Sequence, residues 1–133
     1  DGRRAVIKGF PIGIDVESFQ KSASRGHTQK LVRQTLASLT SRSLVMSVDR
    51  LDYSKGIPER MEAFERFLLA NPDQRNRVTF LQIAPVSRSE VPEYAMLSRQ
   101  VNETIGRVNG SYGEPGWVPI HYVTNSYPRS VLA

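Results

Sequence analysis

Short runs of β-branched, aliphatic and aromatic residues alternate with helix-period segments along this chain. That alternation confines it to an α/β fold built on a parallel sheet with helices on its faces. Leu44-Val45-Met46-Ser47-Val48 is the most compact of the apolar runs, and its near-continuous hydrophobicity predicts a strand buried on both faces. Ala5 to Phe10 reads as an earlier strand, stopped by Pro11 and Gly13. Val78 to Ala84 and Ile120 to Thr124 read as two later ones. Between them, Asp15 is placed to cap a short helix through Val16, Phe19 and Ser22, and Thr28 to cap a second carrying Leu31, Thr35/Leu36 and Leu39. A third helix opens at Ile57-Pro58-Glu59-Arg60, where proline's missing N–H is not needed. It turns Met61, Phe64 and Leu68 inward and stops at Asn71-Pro72. A long fourth helix starts near Pro92 and keeps Tyr94, Leu97, Val101, Ile105 and Val108 on one face, with Gly110 and Gly113 as stops. Ser126 and Pro128 look like the start of another. The order β-α-α-β-α-β-α-β has crossovers long enough for right-handed parallel connections.

At 133 residues the chain is about one domain long. No apolar run approaches the roughly 20 residues that cross a bilayer, and Asp1-Gly2-Arg3-Arg4 leads into a strand-like stretch rather than an apolar leader. No membrane partner is expected. The absence of cysteine removes disulfides, thiolate metal sites and thiol nucleophiles, and is compatible with a cytoplasmic protein. A formal charge of +5 favours anionic partners and serves solubility equally well. The basic residues are scattered rather than run together, which does not favour nucleic acid.

Parallel sheets bind ligands beyond the carboxyl ends of their strands, beside helix N-termini. Three loops fall there: 49–57, 84–90 and 125–128. The first carries Arg50 and Lys55 ahead of Gly56 and a helix start. A guanidinium fork, a mobile ammonium and unpaired helix N–H groups together suit a diphosphate. Both cations also read as ordinary solvated loop charges. Asp52, lying between them, is placed to ion-pair with either. Arg88 brings another guanidinium to the same rim or is a surface arginine. Tyr127 can pack against a base or belong to the core. Neither a P-loop nor a Gly-x-Gly-x-x-Gly turn occurs. His27 and His121 have no partner at metal-ligand spacing, and His121 in its strand reads as an ordinary hydrogen-bonding residue. Glu59, Glu62 and Glu65, interleaved with Arg60 and Arg66, read as a salt-bridged solvent face. Trp117, near Gly113 and Gly116, reads as a structural anchor.

The run Arg50-Leu51-Asp52-Tyr53-Ser54-Lys55-Gly56-Ile57-Pro58-Glu59-Arg60 resembles a signature of the trehalose-6-phosphate synthases, retaining glycosyltransferases of GT-B architecture. The likeness continues upstream in Phe10-Pro11-Ile12-Gly13-Ile14-Asp15. Downstream it covers Gln82-Ile83-Ala84-Pro85-Val86-Ser87-Arg88, Gly106-Arg107-Val108-Asn109-Gly110, Tyr112-Gly113 and Gly116-Trp117. The resemblance implies a partial Rossmann-like sheet at the start of the C-terminal donor domain. Residues 1–15 would then be the last strand of the N-terminal domain and the crossover, and residues 16–133 the first part of the nucleotide-sugar domain.

The same resemblance implies transfer of glucose from UDP-glucose to glucose 6-phosphate, with retention and without a required metal or other cofactor. Arg50 and Lys55 match the pair that grips the donor diphosphate, and Arg88 the arginine on the acceptor phosphate. Ile83 and Tyr127 match residues beside the uridine. A glucosylglycerol-phosphate type of synthase and a noncatalytic nucleotide-binding module are the alternative readings. Family members are much longer, with a glycine loop and an acidic donor loop that these residues lack. Little or no turnover is therefore expected of this polypeptide alone, and self-association is expected from its open sheet edge.

Overall fold

The computed structural model describes residues 6–26, 30–39, 43–86 and 90–128. Helices α1 (Val16–Gly26) and α2 (Lys30–Ser38) precede strand β1 (Ser43–Val48). Then come α3 (Ile57–Ala70), β2 (Val78–Ile83), α4 (Pro92–Tyr112) and β3 (Ile120–Val123). The strands form one parallel sheet in the order β1-β2-β3, the α/β arrangement that the alternation of the sequence predicts.

The core lies between the sheet and the pair α3/α4. Met61, Phe64 and Leu68 of α3 meet Val78 and Phe80 of β2, Val101, Ile105 and Val108 of α4, and Ile120 of β3 in one buried cluster. The apolar stripes expected on both helices are the faces that are buried. Each terminates by a recognisable cause. The Asn71 N–H returns to the Phe67 carbonyl before Pro72 forbids another turn. Gly113 caps α4, where an added Cβ would lie 2.4 Å from the Asn109 carbonyl oxygen, so only glycine fits. Gly110 lies inside the helix rather than ending it.

Two side chains tie the far end of the molecule to the sheet. Asn109 clips the start of β3 with both halves of its amide: Nδ2 donates to the Ile120 carbonyl and Oδ1 accepts the Ile120 N–H, each at 2.9 Å. Trp117 is buried, and its Nε1 donates to the Val78 carbonyl at 3.2 Å and to Thr79 Oγ1 at 3.0 Å. It is the structural anchor that the sequence indicated.

Two expectations are corrected. Residues 6–10 form no strand, and Val6, Ile7 and Phe10 stand exposed. A strand is stable only beside another strand, and none of the three in this sheet lies next to it. β1 is a strand, as its apolar run indicates, but Leu44, Val45, Met46 and Val48 are 38–53% exposed. It is an outer strand with a single neighbour, and among the described residues neither α1 nor α2 packs on it as a layer. β2, central in the sheet, is the strand buried along its whole length. α1 starts as expected, with Asp15 Oδ1 accepting the Ser18 N–H at 3.0 Å. The expected cap of α2, Thr28, lies outside the described residues, and Ser126 and Pro128 lie in irregular chain.

Candidate functional site

Parallel pairing puts Val48, Ile83 and Val123 side by side at the carboxyl ends of the three strands. The loops that follow therefore leave from one edge of the sheet. Backbone hydrogen bonds extend the pairing past the strands. Asp49 N donates to Ile83 O and Leu51 N to Pro85 O, both at 3.0 Å, and Ala84 N to Val123 O at 2.8 Å. Leu51 is fully buried and joins the core cluster, so it fixes the loop between exposed Arg50 and half-buried Asp52.

Tyr53–Lys55 makes a single 3₁₀ turn whose N-cap is Asp52. Its Oδ1 accepts from the Ser54 N–H at 2.9 Å and the Ser54 hydroxyl at 2.8 Å, while the Tyr94 hydroxyl of α4 donates to Oδ2 at 3.2 Å. Among the described residues Asp52 makes no ion pair with Arg50 or Lys55. The expected pairing loses to a backbone N–H and hydroxyl two residues away, which reach the carboxylate without ordering a long side chain. The Ser54 amide, and after it the Ser54 hydroxyl, hold Asp52 below the ordinary aspartate value of 3.8. A depressed folded-state pKa means that this carboxylate's support of the turn is complete above the unfolded value. It is lost as pH falls through the folded one. An NMR titration of the Ser54 amide should accordingly show a midpoint below 3.8, absent in Asp52→Asn. A midpoint at or above that value would contradict the cap.

Gly56 joins the turn to α3 at φ 60°, a left-handed conformation that costs a side-chain-bearing residue on the order of 1–2 kcal/mol. The helix then begins with buried Ile57 and Pro58. Arg60, one turn further on, departs from its expected place on a solvent face. Its Nη1 donates to Asp49 Oδ2 at 2.8 Å, to Ser47 Oγ and to Gln82 Oε1 at 3.0 Å, and its Nη2 donates to the Lys55 carbonyl at 3.0 Å. Alternating charge around α3 hid this role. The one available signal was a glutamine inside an apolar strand: Gln82 is fully buried, and a buried amide requires partners. On the rest of that face one pair forms within α3 as expected, while Glu65 finds its partner on α4 instead. Arg66 meets Glu62 at 3.9 Å and Arg107 of α4 meets Glu65, and the Glu65 contact raises the Arg107 pKa.

Arg50 and Lys55 are both exposed, and neither side chain forms a hydrogen bond or ion pair with another described residue. Ile83 is buried at the end of β2, and Tyr127 is half-buried beyond β3. The chain topology brings these four to one edge of the sheet; Arg88 lies outside the described residues. His121 is half-buried in β3. Among the described residues no three His, Asp or Glu side chains gather as a metal site, and no helix is long and apolar enough to cross a membrane.

Known proteins are similar to this chain in sequence and in fold. The chain is 52% identical over 130 residues to a trehalose-6-phosphate synthase of Sinorhizobium fredii, covering 96% of this chain and 28% of that protein. It superposes with a TM-score of 0.90, at 47% identity, on the Burkholderia xenovorans alpha,alpha-trehalose-phosphate synthase (UDP-forming) in complex with glucose-6-phosphate, covering 92% of this chain and 27% of that one. An Escherichia coli structure bound with UDP-2-fluoro glucose matches with a TM-score of 0.81 and 36% identity, over 92% and 27% of the two chains. The chain thus spans little more than a quarter of the relatives it matches. Glycosyltransferase family 20 matches over residues 1–133, and with a parallel α/β sheet that superposes on solved members, the chain belongs to that family.

Proposed function

We propose that this chain supplies part of the donor-nucleotide site of a retaining glycosyltransferase that moves glucose from UDP-glucose to glucose 6-phosphate, forming trehalose 6-phosphate. The observation that carries the reading is a pair of exposed cations, Arg50 and Lys55, that make no hydrogen bond or ion pair with another described residue, on a turn held at the carboxyl edge of the sheet. There they grip the donor diphosphate and stabilise it as it leaves, while Ile83 and Tyr127 lie beside the uridine and Arg88 meets the acceptor phosphate. Similar proteins bound to UDP-2-fluoro glucose and to glucose-6-phosphate support the substrate pair. The chemistry asked of these residues is electrostatic: positive charge fixed before reaction where negative charge develops during it. Residues 1–15 belong to the end of a preceding N-terminal domain and the crossover from it, and residues 16–133 to the first part of the donor domain. The protein works in the cytoplasm and self-associates.

Calorimetric titration with UDP and UDP-glucose tests the reading. Binding that weakens as salt rises is expected, because the contact is between charges. No binding of either nucleotide would overturn it. Binding to DNA with a steep salt slope, indifferent to Arg50 and Lys55, would replace it with a nucleic-acid role.

A further inference from the structure

Arg60 touches both ends of the turn that carries Arg50 and Lys55. One guanidinium holds Asp49, the residue before the first cation, and the backbone carbonyl of Lys55, the second. The same group reaches Ser47 of β1 and the buried Gln82 of β2, and Gln82 Nε2 closes the set on the Ser47 and Ile83 carbonyls at 3.4 and 3.2 Å. Arg60 itself is anchored on the first turn of α3 by its N–H to the Gly56 carbonyl at 3.0 Å. The side chains of Arg60 and Asp49 are 31% and 24% exposed, so the pair is shielded enough to favour one geometry over many.

From this juxtaposition we infer that Arg60, with Asp49 as its counter-ion, is a positioning residue for the anion site: it sets the spacing of Arg50 and Lys55 without itself meeting the ligand. Three acceptors share the two N–H groups of Nη1 and a fourth takes one from Nη2, so three of the five guanidinium donors are directed at protein oxygens. A flexible turn would have to be ordered at each binding event, whereas a turn already clamped to two strands carries that cost in folding. The inference rests on the diphosphate reading of Arg50 and Lys55, and its test separates the two.

Asp49→Asn gives the sharpest result, because the competing explanations differ in sign. If Arg60 met the diphosphate directly, or if net charge alone governed binding, removing a carboxylate beside the site would tighten UDP binding. Positioning predicts the reverse: about tenfold weaker UDP binding in Asp49→Asn and in Arg60→Met. Arg60→Lys should recover little, since an ammonium cannot span both ends of the turn. Amide hydrogen exchange on the free chain provides a readout without ligand. Ser54 and Lys55 amides should exchange about tenfold faster in Asp49→Asn and Arg60→Met. Asp49→Asn conserves volume and keeps the chain measurable if Arg60→Met does not fold. Unchanged exchange, or UDP binding equal to or tighter than wild type in Asp49→Asn, overturns the inference. Faster exchange in a chain whose wild type binds no UDP removes the diphosphate reading while leaving the clamp on the turn in place.

Discussion

Arg50→Ala and Lys55→Ala should each weaken UDP binding about tenfold to a hundredfold, the range expected when one charge-assisted hydrogen bond to an anion is lost. Both side chains are exposed and neither makes a hydrogen bond or ion pair with another described residue, so neither truncation leaves a buried charge behind, and the folded state should lose little. That separates binding from stability in one experiment: calorimetry should register a large change while the unfolding midpoint stays close to wild type. Arg50→Lys should recover only part of the loss, because an ammonium cannot reproduce a forked contact with a phosphate. The double substitution should fall short of the sum of the singles, since two cations on one diphosphate share its charge. Wild-type affinity in both single variants would return Arg50 and Lys55 to the solvated loop charges that their spacing also permits.

Trp117→Ala should be the most damaging substitution for stability, at about 3–5 kcal/mol of unfolding free energy. The ring is only 3% exposed, and its removal empties a site lined by both sheet and helix. The Val78 carbonyl and Thr79 hydroxyl would also lose a donor, and an unsatisfied buried acceptor adds its own penalty. Trp117→Phe separates the two costs: it keeps most of the ring and drops only the N–H, for about 1–2 kcal/mol. Urea unfolding followed by circular dichroism measures both without relying on the fluorophore removed. A Trp117→Ala midpoint within error of wild type would mean that the loop after α4 is not anchored through this ring.

The fold was legible because period and punctuation agree over long stretches. The α3 stripe of Met61, Phe64 and Leu68, its proline start and its Asn71-Pro72 stop all indicate the same element, and so do the inward residues of α4. Strand existence was legible for Leu44 to Val48, but its environment was not. An apolar run records what a strand can bury, whereas its place in the sheet order decides what it does bury. The Ala5 to Phe10 run met the same limit: residues 6–10 have strand character but, among the described residues, no strand beside them. At the site, Arg50 and Lys55 were visible as exposed cations at a strand-to-helix turn. Asp52 and Arg60 were misjudged because charge pairing along a sequence cannot show which partners lie nearer in space. Asp52 took a neighbouring amide, and Arg60 reached back across two strands to residues far from it in the chain.

The sheet order also governs how this chain can assemble. Gln82 and Ser47 are 35 positions apart, and Trp117 and Val78 are 39 apart, so the middle strand gains neither neighbour until a long crossover has closed. Contacts of such span make collapse slow relative to helical bundles of equal length. During vectorial synthesis β3 and Trp117 emerge well after β2, and until then one flank of β2 stays open to mispairing with any other unfinished chain.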